Sequence, residues 1–102
     1  MGQRIIWTTL AAQDLEGIWQ FIARDSEQNA SSTIERIVDA CNTAAEFPFM
    51  GREVPEVRDT TIRELIVFKY RLIYRVRPDA IVIRGVFHGA RLFKNAMEDR
   101  KL

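Results

Sequence analysis

The pattern of hydrophobic and polar positions is clearest between residues 62 and 91, where it predicts a short strand followed by a β-hairpin. Within residues 70–76, and again within 81–88, apolar and polar side chains largely alternate. Proline and aspartate in Arg77–Ala80 favour a turn between these two strands. The predicted apolar face comprises Tyr70, Leu72, Tyr74, Val76, Ile81, Ile83, Gly85 and Phe87. The opposite face comprises Arg71, Ile73, Arg75, Arg77, Val82, Arg84, Val86 and His88.

Two amphipathic helices are predicted upstream of this hairpin. A short β-branched strand over residues 3–7 precedes them, and Thr8 or Thr9 can cap the first helix. Its apolar stripe comprises Ala11, Leu15, Ile18, Trp19 and Ile22. After a polar connector at 24–29, the second stripe comprises Ala30, Ile34, Ile37, Val38, Cys41 and Ala45. Pro48 ends this helix. The two helices form a hairpin that is long enough to cover the apolar face of the sheet.

The remaining segments complete a single domain over residues 1–102. Residues 49–61 read as a surface loop with a short extended piece near 54–57, and residues 62–67 read as a strand. Residues 92–99 form a possible short C-terminal helix. The order β-α-α-β-β-β predicts a two-layer α+β fold, in which a helical hairpin packs on one face of a mainly antiparallel sheet.

Composition and charge narrow the classes of function. The chain has 15 basic and 14 acidic residues and a net charge of +1, unlike the basic excess typical of nucleic-acid-binding proteins. The charge is nevertheless locally basic on the predicted hairpin. A single cysteine, Cys41, excludes an internal disulfide and a cysteine-based zinc site, and it lies on an apolar helical face. We expect no cofactor, no metal, no membrane span and a cytoplasmic location.

Five local motifs, taken in this order, resemble the RelE/ParE superfamily of bacterial type II toxins. They are Trp7 with residues 11–22, Phe47–Glu56, Ile62–Leu65, Tyr70–Val76 and Val86–Arg91. The resemblance implies a toxin that a cognate antitoxin wraps and silences. The residues of these motifs are more similar to those of the ParE branch, whose members act on DNA gyrase, arrest growth and stabilise plasmids. No direct sequence-specific binding of DNA by the toxin alone is expected.

Two other functions are compatible with the same resemblance. The RelE branch implies a ribosome-dependent endoribonuclease with the ribosome and mRNA as partners. Metal-free RNA cleavage needs a base, a cation for the phosphorane and an acid, and Arg63, Arg71 and His88, with Glu53 or Glu56, could supply them. A third possibility is a module that binds an antitoxin but has lost toxicity.

Partner binding is predicted for the basic face, its rim and the C-terminal segment. In the gyrase-inhibitor interpretation no residue is catalytic. The predicted partner-binding residues are Arg71, Arg75, Arg84, His88, Arg91, Leu92 and Phe93. Arginine forks suit a partner rich in carboxylates, although alternating arginines are also typical of the solvated face of a half-buried sheet. The four residues expected in the core rather than in stacking on bases are Trp7, Trp19, Tyr70 and Tyr74.

Overall fold

A computed structural model describes residues 2–102 and confirms the predicted α+β fold and its order of elements. The elements are β1 (Arg4–Trp7), α1 (Thr9–Ala23), α2 (Glu27–Glu46), β2 (Arg52–Glu53), β3 (Ile62–Val67), β4 (Tyr70–Val76), β5 (Ala80–His88) and α3 (Phe93–Ala96). The short β2 lies just before the extended piece predicted at 54–57, and α3 is shorter than the predicted last helix.

Local side-chain chemistry explains where the two long helices begin. The Thr8 hydroxyl accepts a hydrogen bond from the Ala11 N–H at 3.1 Å and donates one to the Ile83 carbonyl at 3.0 Å. It therefore caps α1 and also fixes the helix to β5. The Ser26 hydroxyl accepts from the Asn29 N–H at 3.1 Å and caps α2 in the same way.

The five strands form one sheet in the order β1-β5-β4-β3-β2. β1 pairs in parallel with β5, whereas the other neighbouring strands pair antiparallel. The predicted turn between β4 and β5 is closed by a hydrogen bond from the Arg77 N–H to the Ala80 carbonyl at 2.8 Å. The sheet is therefore mainly antiparallel, as the sequence predicts.

Both faces of the sheet carry a hydrophobic core. We call them the helix-side core and the second-face core. The helix-side core has as its buried members Ala11, Ile37, Cys41, Ala44, Ala45, Leu72, Tyr74, Val76, Ile81, Ile83 and Val86. The second-face core consists of Val54, Ile62, Ile73, Phe87, Ala96 and Met97, so the middle loop and the C-terminal segment cover this face in part. The face that carries the arginines is therefore not simply a solvated surface.

A β-bulge at Arg84 makes part of the face assignment wrong. Tyr74 pairs with Ile83 and Ile73 pairs with Gly85, so Arg84 is an extra residue on β5. One extra residue inverts the alternation of all residues after it. Val86 accordingly belongs to the helix-side core, whereas Phe87 belongs to the second-face core. His88 lies beside Tyr70 on the helix side, with the two ring centroids 5.8 Å apart.

Two residues of the predicted helical stripes are more exposed than expected. Trp19 and Val38 are 36% and 39% exposed. The interpretation of Trp19 as a core residue is wrong, because Ile18 beside it already points inward and adjacent helical residues are turned by about 100°. The assignment of Tyr74 to the core is confirmed, since its side chain is fully buried.

Candidate partner-binding surfaces

Arg71 forms the centre of a buried ionic network on the second face. Its Nε donates to Glu64 at 2.7 Å, and its Nη1 and Nη2 donate to the two oxygens of Glu56 at 2.9 and 2.8 Å. The guanidinium carbon lies 5.5 and 5.3 Å from the ring centroids of Phe87 and Phe93. Glu64 is fully buried and also accepts from Arg52. The network therefore ties the middle loop and the C-terminal segment to the sheet.

Electrostatics strengthens both sides of this network. Hydrogen bonding from Arg71 holds the pKa of the Glu56 carboxyl below its usual value. The bonds to Glu56 and then Glu64 raise the pKa of Arg71 further above its ordinary range, although burial opposes them. Because Arg71 is buried and donates three hydrogen bonds, the structure gives it an architectural role.

Arg63 lies on the other face of the sheet. It belongs to the same side of β3 as Leu65 and Val67, which pack against the helix-side core. Its Nε donates to the Thr60 carbonyl at 2.8 Å and its Nη1 donates to the Gly51 carbonyl at 3.2 Å. The guanidinium also stacks on Phe49 at 5.0 Å. These contacts hold the loop around Gly51 against β3.

His88 stands at the rim of a cleft between α1 and the end of β5. The ring lies edge-on to Tyr70, with an interplanar angle of 79°. Its Nδ1 accepts a hydrogen bond from the Ala90 N–H at 3.0 Å, so the neutral ring carries its proton on Nε2. The cleft has a volume of about 420 Å³ and is lined by Asp14, Gly17, Ile18, Phe21, Tyr70, Val86, Phe87, His88 and Arg91.

The structure does not bring Arg63, Arg71 and His88 together. Arg71 lies on the second face, whereas Arg63 and His88 lie on the helix side. Arg63 pairs with Tyr74 and His88 pairs with Tyr70, on opposite sides of β4. Four residues along a strand correspond to about 13 Å. Of the two candidate carboxylates, Glu56 is bound to Arg71 and Glu53 is exposed on β2.

The remaining predicted partner-binding residues are divided between the second face and the C-terminal segment. Arg75 lies 3.8 Å from Asp59 and donates to the Leu102 carbonyl. Arg84 is half-buried, and its Nε has no hydrogen-bond partner among residues 2–102. Burial, and then repulsion from Arg77 and Arg75, lower the pKa of Arg84.

Of the two apolar residues of the C-terminal segment that are predicted to bind a partner, one is exposed to solvent and the other is packed. Leu92 is 69% exposed, whereas Phe93 packs against the second-face core. Arg91 is exposed at the rim of the His88 cleft. Leu92 and Arg91 are thus accessible to a partner, but Phe93 belongs in part to the fold.

An apolar groove that the sequence analysis missed runs between α1 and α2 beside β1. Its volume is about 560 Å³, and it is lined by Trp7, Ala12, Leu15, Glu16, Trp19, Gln20, Ile34 and Val38. The sequence contains a sign of this groove. Trp19 follows Ile18 and Val38 follows Ile37, so each helix carries two adjacent large apolar residues and its apolar stripe is wider than packing on the core requires. Its lining is mainly apolar apart from Glu16 and Gln20, so the groove is a candidate contact surface for a partner.

Other kinds of site receive no support within residues 2–102. No three side chains of the histidine, cysteine, aspartate or glutamate type come together there as a metal site. Nor does that part of the chain contain a helix long and apolar enough to cross a membrane. Burial raises the pKa of the Cys41 thiol to about 12, as expected for a core residue and not for a nucleophile.

Comparison with known proteins decides the family. The family model described as "ParE toxin of type II toxin-antitoxin system, parDE" matches residues 5–93. The chain belongs to this family of toxins. Toxin RelE2 of Caulobacter vibrioides is 32% identical over 90 residues, covering 87% of this chain and 98% of that protein. Putative toxin Y4kP of Sinorhizobium fredii is 33% identical over 89 residues, covering 85% and 88%.

Two solved toxin–antitoxin structures share the fold of this chain. The chromosomal ParDE toxin–antitoxin system of P. aeruginosa matches with a TM-score of 0.69 and 20% identity, covering 84% of this chain and 95% of that one. The RelBE2 toxin–antitoxin complex of Mycobacterium tuberculosis matches with a TM-score of 0.61 and 21% identity, covering 86% and 99%. Both ParE and RelE names thus occur among its relatives, and the superfamily identified from the sequence motifs is confirmed.

Proposed function

We propose that this type II toxin is ParE-like: it inhibits DNA gyrase by binding, arrests growth, and is neutralised in the cytoplasm by a cognate antitoxin. The observation that carries the proposal is the separation of Arg63, Arg71 and His88 over two faces of the sheet. Metal-free RNA cleavage needs its acid, base and cation around one phosphate. An inhibitor that acts by binding needs only accessible surface. Such a toxin would contribute to plasmid stabilisation where its genes lie on a plasmid.

The groove between α1 and α2 supports the antitoxin half of this proposal. Trp7 and Trp19 line one concave apolar surface with Ile34 and Val38. An amphipathic helix can lay its apolar face into such a groove. The two solved structures named above each carry the name of a toxin–antitoxin system. We therefore assign the groove to the apolar face of an amphipathic helix of the cognate antitoxin, with exposed Arg91 and Leu92 as further contacts.

The basic cluster on the second face supports an additional contact with carboxylates. Arg84 is only half-buried, and Arg75 and Arg77 add positive charge nearby. Guanidinium groups bind carboxylates in a bidentate manner. In this proposal Arg75 and Arg84 contact acidic residues of a partner, whereas Arg71 and Phe93 support the surface from within.

One observation favours the endoribonuclease as a second candidate. His88, Tyr70 and Arg91 share an open cleft, and a histidine whose Nδ1 accepts a hydrogen bond carries its ring proton on Nε2, from which it can transfer protons. If RNA is cleaved, His88 acts there with Arg91 close by, and Arg63 and Arg71 support the fold instead of contacting the phosphate. A non-toxic antitoxin-binding module would retain the groove without either activity.

The test uses purified protein, free of antitoxin, in two parallel assays: supercoiling by DNA gyrase, and translation of a defined message with ribosomes present. We expect inhibited supercoiling and an intact message. Cleavage of the message on ribosomes, with gyrase unaffected, would contradict the proposal and support the second candidate. His88→Ala would then abolish cleavage. Absence of both activities would leave the antitoxin-binding module.

Antitoxin binding is tested separately with Trp19→Ala. Removing an aromatic anchor from the groove is expected to weaken binding of the cognate antitoxin by about tenfold or more in calorimetry. Phe47→Ala is the matched control, because Phe47 is an exposed aromatic residue at the end of α2 that lines neither the groove nor the His88 cleft. Equal affinity of the Trp19→Ala variant and wild type would remove the groove from the antitoxin interface.

A further inference from the structure

The turn between β3 and β4 holds a phenylalanine in a strained backbone conformation. Val67 and Tyr70 are the last paired residues, so Phe68 and Lys69 form a two-residue turn. Phe68 has a φ of 55°, in the left-handed region. Glycine, asparagine and aspartate normally occupy such positions, and a bulky side chain there is a genuine outlier. The turn would form more easily with glycine in place of Phe68.

Burial does not explain why phenylalanine occupies this position. Phe68 is 61% exposed at the tip of the hairpin. Its ring contacts the guanidinium of Arg36 on α2, 5.3 Å from the ring centroid. Ile66, two residues earlier, is 56% exposed. Backbone strain that is not offset by packing is concentrated at functional sites. An exposed aromatic residue next to an exposed isoleucine is typical of a surface that contacts another protein.

The charges around Phe68 indicate the chemistry of what it contacts. The Arg36 guanidinium lies over the ring, and Lys69 is the next residue in the turn. None of the ion pairs within residues 2–102 includes either of them. Asp39 lines the same shallow depression as Arg36, Ile66 and Phe68, but among the described residues no cation lies within ion-pair distance of it. A complementary surface would therefore combine an apolar pocket with carboxylates at its rim.

We propose that Phe68 is the anchor by which this toxin contacts its protein target, inserting into an apolar pocket bordered by acidic residues. The inference rests on the proposed function, in which that target is DNA gyrase. A protein fits better than a nucleic acid for two reasons. Ile66 provides aliphatic surface that bases do not require, and the chain has a net charge of only +1.

The Phe68 tip is separate from the groove assigned to the antitoxin. α2 presents Ile34 and Val38 to the groove but Arg36 to Phe68. Residues two positions apart on a helix point about 200° away from each other, so these are opposite sides of α2. The two surfaces have no lining residue in common. A change at Phe68 should consequently affect target binding and leave antitoxin binding intact.

Phe68→Gly tests the inference because it removes the side chain and relieves the strain at once. We expect a higher midpoint of thermal unfolding, inhibition of gyrase supercoiling weakened by about tenfold or more, and unchanged antitoxin affinity. Phe68→Ala, which keeps the strained φ, should lose the same inhibition without the gain in stability. Phe49→Ala is the matched control, since Phe49 is similarly exposed and also contacts an arginine but lies outside the turn.

The possible outcomes separate the inference from the proposed function. Wild-type inhibition of gyrase that Phe68→Gly retains would overturn the inference and leave the proposed function intact. A wild-type protein that does not inhibit gyrase would overturn both. If Phe68→Gly instead weakens cleavage of a ribosome-bound message, the residue stacks on RNA and the protein target is wrong. An unfolding midpoint of Phe68→Gly no higher than that of Phe68→Ala would contradict the strain at this turn.

Discussion

At the scale of single residues, close approach of two backbones explains a glycine that no local pattern requires. A Cβ on Gly51 would lie 2.5 Å from the Tyr74 hydroxyl and 2.7 Å from the Glu64 carbonyl. The Tyr74 hydroxyl donates to the Pro48 carbonyl at 2.7 Å and accepts from the Gly51 N–H at 3.3 Å. Gly51 thus lets the loop after α2 descend onto β3 and close the helix-side core around Tyr74.

We predict that Gly51→Ala lowers the free energy of unfolding by about 1–3 kcal/mol, because the added methyl overpacks a rigid site. Urea denaturation followed by circular dichroism measures the change. Gly17→Ala is the control, because outside its own stretch of helix no heavy atom of residues 2–102 lies within 4 Å of the added methyl. In an exposed helix interior it should raise stability by about 0.5–1 kcal/mol. Equal stability of the Gly51→Ala variant and wild type would show that the loop can move away.

At the scale of elements, one carboxylate joins α1, the bulge of β5 and the C-terminal segment. The Val86 N–H, just beyond the bulge, donates to Asp14 at 3.0 Å. Arg100 forms a two-pronged ion pair with Asp14, and its Nη1 also donates to the Arg84 carbonyl at 3.1 Å. Gly85 allows this approach, because a Cβ there would lie 2.6 Å from the sulfur of Met97. The bulge and the C-terminal segment therefore depend on each other.

We predict that Asp14→Ala destabilises the fold by about 3 kcal/mol, since it leaves Arg100 as an uncompensated charge and the Val86 N–H unpaired. The two side chains of the pair are only 14% and 12% exposed, so solvent screens it little. Glu16→Ala, on the exposed side of the same helix, should change stability by less than about 0.5 kcal/mol. Thermal and urea unfolding would both report the difference. Similar small effects of both variants would contradict this role for Asp14.

At the scale of the whole molecule, the sheet is shared by two hydrophobic cores. Ile37 represents the helix-side core and Ile73 the second-face core, and both are fully buried. Because residues of β4 and β5 contribute to both cores in alternation, the two faces cannot separate without breaking the central hairpin. This arrangement favours a single cooperative unfolding transition.

We predict that Ile37→Ala and Ile73→Ala each lower the free energy of unfolding by about 2–5 kcal/mol through cavity formation. In both variants, tryptophan fluorescence and backbone circular dichroism should follow one coincident transition. Val38→Ala, which removes a largely exposed side chain, should have a much smaller effect. Selective loss of amide protection in the C-terminal segment of Ile73→Ala, with the helices still protected, would show that the second face unfolds independently.

Short-range patterns in the sequence were sufficient to predict the elements and the architecture. Helical spacing of apolar residues, the Thr8 cap and the turn at Pro78 are all encoded within a few positions of one another. The apolar face of the central hairpin is large, and burying it requires a layer of helices. The five motifs, taken in their order along the chain, also identified the superfamily. The family match to residues 5–93 agrees with them.

Only the tertiary structure decided which face of the sheet each residue of β5 occupies, and which arginines of β4 and β5 are held by ion pairs. The alternation of residues 81–88 continues unbroken through Arg84, and only pairing with β4 shows that this residue is a bulge. The same long-range packing joins Arg71 to Glu64 and Glu56, moves His88 to the helix side and leaves Trp19 in an open groove. Charge and register depend on partners distant in sequence, and local periodicity carries no information about them.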